Sequence, residues 1–455
     1  MSVNVIACSA SQVINNKIPN DSAGQYIGGI LTIPEYQRPY CWQQHQLQQL
    51  LEDITQHRHY TPDLPYYLGS LILHQDNGRL NIIDGQQRVT TLAIISMLLD
   101  TTTSLDLSFE SPTSHQQIKK NYHWLCNQLE CIKRVIQLDQ IQFTLVVTRS
   151  EDDAYRFFET QNTGGVRLGG PDIIKAHHLR AIQGPYQLTF ARRWEQLGQL
   201  DNTITALLKG RYWQNLRFRE LPNHRQAKQL RDTIVWEFAQ QTGKGDDIAY
   251  GRTHRHHQLS GEVSLQLAQQ GYDLRQPLNA GINTVHYLDF FQKLYQNYFS
   301  KLDLPHLRGY QVFITWLKTL RGCDYLKKLY ETSLILYISH FGEHELELAA
   351  KKLFRVVYSS RVSNEQTVKE QTAVKFIREN PVFDWIAQSY TPQQCFDYLD
   401  GFLLKVSAIN LENNNIKKRF VEDVVNFFEL VIHPEEYEKR FASVLTDAIN
   451  RGDKL

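Results

Sequence analysis

The 455-residue sequence holds no run of about 18 consecutive apolar residues, so it offers no helix suited to crossing a bilayer. Its first residues, Met1 to Lys17, lack a basic segment followed by an apolar one, which argues against export. The six cysteines, Cys8, Cys41, Cys126, Cys131, Cys323 and Cys395, are scattered rather than spaced as in a small secreted scaffold. A reduced, cytoplasmic setting is the expectation. Net charge is nearly absent: 49 Lys and Arg stand against 48 Asp and Glu, a balance of +1, so a polyanion site has to be a local patch. No G-x-x-x-x-G-K-[ST] phosphate loop occurs, since Gly243-Lys244-Gly245 lacks the upstream glycine and the following hydroxyl. What is present is a globular balance, 42% hydrophobic and 21% charged, over a length that allows two or three domains at about 150 residues each.

The first part of the chain reads as mixed α/β. Ile30, Leu31 and Ile33 lead extended into Pro34, and a helix follows from Gln43 with Leu47, Leu50, Leu51 and Ile54 on one face. Tyr66 to His74 and Arg79 to Ile83 form a hairpin around Asn77-Gly78. A largely buried helix runs from Gln86 to Leu99, with Val89, Leu92, Ile95, Met97, Leu98 and Leu99 as its apolar positions. Residues 101–118 read as a loop, Tyr122 to Leu138 as helix, Ile141 to Thr148 as a strand and Glu151 to Thr160 as a short helix. A glycine turn, Asn162-Thr163-Gly164-Gly165, precedes a helix beginning near Pro171-Asp172.

Beyond residue 185 strand signals fade. Helical spacing recurs over 189–209, 225–241, 284–299, 310–341, 346–358, 364–377 and 416–430, so an all-helical domain is expected over 186–455 behind an α/β domain over 1–185. The polar stretch 242–261 reads as a loop.

Chemistry concentrates in Ile82-Ile83-Asp84-Gly85-Gln86-Gln87-Arg88-Val89-Thr90-Thr91-Leu92, where a buried strand gives way to a helix. Gly85 permits unusual torsions, the first helical N–H groups attract anions, and Arg88 presents a planar fork suited to phosphate. Asp84 is placed to hold magnesium or orient a water, and Gln87 to align it. The same residues would equally make a helix cap and a salt bridge. A second string, Ile33 to Trp42, gathers Gln37 and Arg38 with Tyr36, Tyr40 and Trp42, which are either stacking partners for a base or plain core aromatics. A third, Phe157 to Leu168, ends a helix on Asn162 and glycines.

In order and separation these strings resemble the DUF262 family, the N-terminal domain of GmrSD-type restriction systems. IPEYQRPYCW, GSLIL, IDGQQRVTTL and FETQNTGGVRL match its motifs over residues 33–168. The resemblance implies a small ParB/sulfiredoxin-like α/β domain that binds, and in characterised members hydrolyses, a nucleoside triphosphate, with Mg2+ as the expected ion. Asp84, Gly85, Gln86, Gln87, Arg88 and Thr90 carry over as the nucleotide motif, Gln37 and Arg38 as neighbours, and Asn162 and Gly165 as family positions without an assigned role. The overall class is then α+β, a ParB/sulfiredoxin-like domain followed by a mostly α-helical one. The resemblance also implies an anti-phage restriction role, with nucleotide turnover coupled to DNA recognition.

The fused nuclease of many such systems is not evident. His254, His256 and His257 lie in a polar stretch without a hairpin signal, and Asp172 with Lys175 echoes only part of a PD-(D/E)xK element, Asp172 reading as a helix-start residue. A nuclease acting in trans is therefore the expected partner, with DNA as the second. From Lys209 to Asp232, Lys209, Arg211, Arg217, Arg219, Arg225, Lys228 and Arg231 outnumber Glu220 and Asp232, and Tyr212, Trp213 and Phe218 interleave, as in a DNA-contacting surface or a solvated helical face. The alternative to a triphosphatase is a nucleotide-switched DNA- or protein-binding module without turnover.

Overall fold

A computed structural model describes the chain except for residues 1–2, 21–26, 35, 100–104, 106, 152, 155–168, 183, 258–262, 366–367, 410, 412–414 and 452–455. The turn at Asn162 to Gly165 and most of the helix expected over 151–160 thus lie outside the described residues. The chain divides into two compact units, Met1–Gln196 and Leu197–Leu455.

The first unit is built on a five-stranded mixed sheet of β1 (Val3–Ser9), β2 (Ile30–Thr32), β3 (Tyr66–Asp76), β4 (Arg79–Asp84) and β5 (Ile141–Thr148), in the order β1-β5-β3-β4-β2. β3 and β4 are antiparallel, and both turn residues have positive φ, 46° at Asn77 and 74° at Gly78, which matches the right-handed twist of a two-residue hairpin. β3 runs parallel to β5, and β2 parallel to β4. Helices α1 (Ala10–Ile14), α2 (Gln44–Tyr60), α3 (Gln86–Leu98), α4 (Pro112–Cys126) and α5 (Leu129–Val135) accompany the sheet. Leu47, Leu50, Leu51 and Ile54 of α2 and Val89, Leu92 and Ile95 of α3 share one core with Leu71, Leu73, Leu80, Ile82, Phe143 and Leu145 of the sheet. Two further helices, α6 (Gly170–Ala181) and α7 (Tyr186–Leu197), lead to the unit boundary.

Two expectations for this unit are corrected, and the segment before residue 18, which carries no reading of its own, forms a strand and a helix. β1 pairs antiparallel with β5 along its whole length and is followed by α1, whose N-cap Ser9 and Gln12 form a reciprocal capping box. Residues 112–118 belong to α4 rather than to a loop, with Pro112 in the first turn where its missing N–H costs nothing. Met97 is 61% exposed, because the buried face of α3 has rotated past it by the last turn.

The second unit is mostly helical, but not wholly. Tyr250–His257 and Val263–Gly271 form an antiparallel hairpin, which overturns both the all-helical expectation and the placing of His254, His256 and His257 in a loop. Only the second strand, V-S-L-Q-L, carries an apolar alternation; the first is polar throughout and is a strand because its partner is. The run 189–209 resolves into α7 and the helix Asp201–Tyr212, and 310–341 into Arg308–Thr319 and Asp324–Phe341. The helix Asp324–Phe341 is the centre of this unit, buried at nearly every position from Leu329 to His340, with Tyr330 and Tyr337 fully enclosed. Among the described residues no helix is long and apolar enough to cross a membrane.

Candidate functional site

The strand-to-helix junction is the organising feature of the first unit. Asp84 ends β4, and Gly85 takes φ +100° as the N-cap of α3, a conformation that a Cβ would strain and that would drive the Cβ into Leu71. Arg88, one turn on, folds back: its Nη2 donates to Asp84 Oδ2 at 3.0 Å and its Nη1 to the Leu68 carbonyl at 3.0 Å. β3 makes room for it at Gly69, where φ is +105° and a Cβ would collide with Arg88 Nη1. The GSLIL and IDGQQR strings are therefore one construction, the glycine of the first seating the arginine of the second. Asp84 and Arg88 remain partly accessible, their side chains 28% and 19% exposed.

The neighbouring glutamines both reach the loop of the first motif. Gln87 is 5% exposed; its Oε1 accepts from the Cys41 and Trp42 amides at 2.9 and 3.2 Å, and its Nε2 donates to the Pro39 carbonyl at 3.0 Å. The expectation that Gln87 aligns a water is corrected: both ends of its amide are committed to the loop it clasps. Gln86 Nε2 donates to the Arg38 carbonyl at 2.7 Å, and Gln37 Nε2 to the Ile83 carbonyl at 3.0 Å. Thr90 is buried, and its hydroxyl has no hydrogen-bond partner among the described residues. Tyr36 and Tyr40 are also core residues, and the Tyr40 hydroxyl bonds Thr91 Oγ1 at 2.8 Å and Asn121 Nδ2 at 2.9 Å. Burial pushes its phenol pKa up, which fits a structural role.

Beside this junction lies a cavity of about 480 Å3, within the range of small-molecule sites. Ile33, Pro34, Gln37, Arg38 and Pro39 from the first motif and Gln86 from the second line it, whereas Asp84, Gly85 and Arg88 are not among its lining residues. The start of α4 lines it as well, together with Phe109, Glu110, Lys175, Arg192 and Glu195. The sequence had marked Gln37, Arg38 and Gln86, and Lys175 only as a weak nuclease echo. Glu110, Arg192 and Glu195 carried no local signal, because each reaches the cavity through the fold. Asp172 accepts the Gly169 amide at 3.3 Å in the first turn of α6, the helix-start role expected of it. Among the described residues no group of three His, Cys, Asp or Glu side chains could hold a metal ion. Asp84 is a single carboxylate whose Oδ2 accepts from Arg88.

In the second unit the basic run disperses. Arg211 pairs with Glu237 at 2.5 Å and donates to the Leu274 and Gln276 carbonyls, a largely buried structural clamp. Arg219 lies over the Tyr212 and Trp236 rings, and Arg231 pairs with Asp232 at 2.8 Å. Arg217, Arg219, Arg225 and Lys228 are exposed, Arg217 following Leu216, which is 94% exposed, and among the described residues only Arg219 of these lies over aromatic rings. Lys209 sits over Trp213, its pKa pushed down to about 8 by burial and by Lys328. If this surface holds DNA, replacing Arg217, Arg225 and Lys228 together by alanine is expected to flatten the slope of log affinity against log salt by roughly 3, read by titration from 50 to 200 mM salt. Arg211→Ala should instead lower the melting temperature of the protein.

The fold and this junction define an α+β protein whose first unit is a GmrSD-type N-terminal domain, since residues 14–179 match the family model of the GmrSD restriction endonuclease, N-terminal domain. Residues 186–417, just over half of the chain, match a family of unknown function, DUF7834, and the chain belongs to that family. No curated protein matches the chain.

Proposed function

We propose that the first unit binds a nucleoside triphosphate at the β4–α3 junction and the cavity beside it, and that the chain serves a restriction or anti-phage system as its nucleotide-dependent component. The observation that carries this reading is the cavity, walled by both motif loops and by the cations Arg38, Lys175 and Arg192. The GmrSD-type domain supports the restriction role. Arg88 and the start of α3 are suited to phosphate, and Asp84 to a magnesium ion, which when bound would screen phosphate charge. The amide that faces the ligand is Gln86, whose Oε1 takes no hydrogen bond from a described residue, rather than Gln87.

The test is calorimetry and phosphate release with ATP, GTP, CTP and UTP plus magnesium, with and without DNA. Saturable binding of at least one nucleotide is expected, weakened about tenfold by Arg38→Ala; binding of none removes the reading. A second reading, a switch without turnover, is favoured by the committed hydrogen bonds of Gln87 and the Asp84–Arg88 pair. Stoichiometric binding without repeated turnover would select it. A nuclease partner and DNA complete the proposal. Metal-dependent nicking of plasmid by the purified chain alone, lost on His256→Ala, would put the nuclease in the chain itself.

A further inference from the structure

The cavity holds charges in a revealing arrangement. Lys175, only 3% exposed, donates from its ammonium to the Gln37 carbonyl at 2.8 Å and to the Glu195 carboxylate of α7. Arg192, one turn earlier on α7, reaches Glu110 at 2.5 Å. Arg38 lines the same space and pairs with no carboxylate among the described residues. Each carboxylate is thus matched by one cation, and one cation is left over. The first turn of α4 adds Thr113 and Ser114, and its N-cap adds Ser111, whose hydroxyl is buried without a partner among the described residues. Such a cavity draws an anion, but its most buried cation is already taken by Glu195.

We propose that Lys175 is a phosphate-binding residue of the nucleotide site and that Glu195 is its internal competitor, occupying in the empty protein the place a phosphate oxygen takes on binding. This rests on the nucleotide reading above. A lysine ammonium has three donors. One, on the Gln37 carbonyl, keeps the motif loop in place throughout; another exchanges the Glu195 carboxylate for a phosphate oxygen, so the exchange swaps one anionic oxygen for another and leaves the loop bonded. Glu195 sits in the last turns of α7, so ligand entry breaks the ion pair that ties that end of the helix to α6, while Gln187 Nε2 at its start still donates to the Leu179 carbonyl at 3.0 Å. Nucleotide then favours the state in which the Lys175–Glu195 pair is open.

The two partners give opposite signs, which a merely structural ion pair would not. Glu195→Gln removes the competitor while keeping shape and is expected to tighten binding of a nucleoside triphosphate about tenfold. It should tighten inorganic triphosphate by a similar factor, since the contact is to phosphate. Lys175→Met is expected to weaken both at least tenfold. Calorimetry on the full chain reads these changes, and thermal melting checks that each variant folds; if Lys175→Met does not, the sign of Glu195→Gln decides alone. Unchanged or weaker binding by Glu195→Gln, in a chain whose wild type binds nucleotide, overturns this assignment and leaves the nucleotide reading standing. A wild-type chain that binds no nucleotide overturns both.

Discussion

Arg88→Ala is expected to lower nucleotide turnover at least a hundredfold and to cost the fold about 2–4 kcal/mol, because in the proposed reading one guanidinium serves the nucleotide site and its scaffold together. Its two hydrogen bonds tie the start of α3 to the Leu68 carbonyl of β3 and to Asp84. Removing it leaves a partly buried carboxylate without its cation and a strand carbonyl without its donor. Arg88→Lys should not restore function, since a single ammonium does not present the planar fork that spans both acceptors. Stability loss alone could mimic a catalytic loss, so the companion variant is Asp84→Asn. It keeps the shape and an acceptor for Arg88, at about 1 kcal/mol, while removing the charge that would hold magnesium. Phosphate release near zero with a nearly unchanged melting temperature assigns Asp84 to the chemistry. Parental turnover in Asp84→Asn would reduce the Asp84–Arg88 pair to a structural brace.

The sequence made the frame of this site readable and hid its walls. The hairpin β3–β4 and helix α3 followed from local rules: Asn77-Gly78 suits a tight turn, and the spacing of Val89, Leu92 and Ile95 suits a buried face. The motif strings located the junction, yet they could not say which way each side chain faces. Gln86 and Gln87 are adjacent and chemically identical, but one lines a cavity and the other is sealed beneath a loop, a difference that α3's rotation of about 100° per residue decides. The purpose of Gly69 was equally invisible, since the arginine it accommodates lies 19 residues on. Glu195 and Arg192 lie on a helix that reads as an ordinary amphipathic one. In the second unit, counting cations along the chain found a patch that the fold takes apart. Arg211 goes inward to Glu237, because it precedes the buried Tyr212 in the last turn of its helix, and Arg219, though exposed, lies over the Tyr212 and Trp236 rings. The hairpin at 250–271 escaped for the converse reason: its first strand has no period of its own and takes its structure from pairing.

Gln87→Ala is expected to cost the fold about 3 kcal/mol, from three partly buried backbone groups each worth about 1 kcal/mol when left unpaired. The Cys41 and Trp42 amides lose their acceptor and the Pro39 carbonyl loses its donor, all in the loop that presents Gln37 and Arg38 to the cavity. For a unit of this size the melting temperature should fall on the order of 10 °C, with nucleotide affinity falling alongside because the loop is no longer clasped. Gln87→Glu refines the argument. Its oxygens still accept from both amides, but an ionised carboxylate faces the Pro39 carbonyl with no proton to offer. The buried acid is favoured in its neutral form, so its folded pKa lies above the unfolded value of about 4.3. The stability this recovers is fully present below that value and is lost as pH rises through the folded pKa. Gln87→Glu should therefore approach the parental melting temperature near pH 4 and fall away from it toward pH 7, while Gln87→Ala stays low across the range. If Gln87 instead aligned a catalytic water, Gln87→Ala would melt like the parent and lose turnover alone, and its clasp on the loop would be incidental.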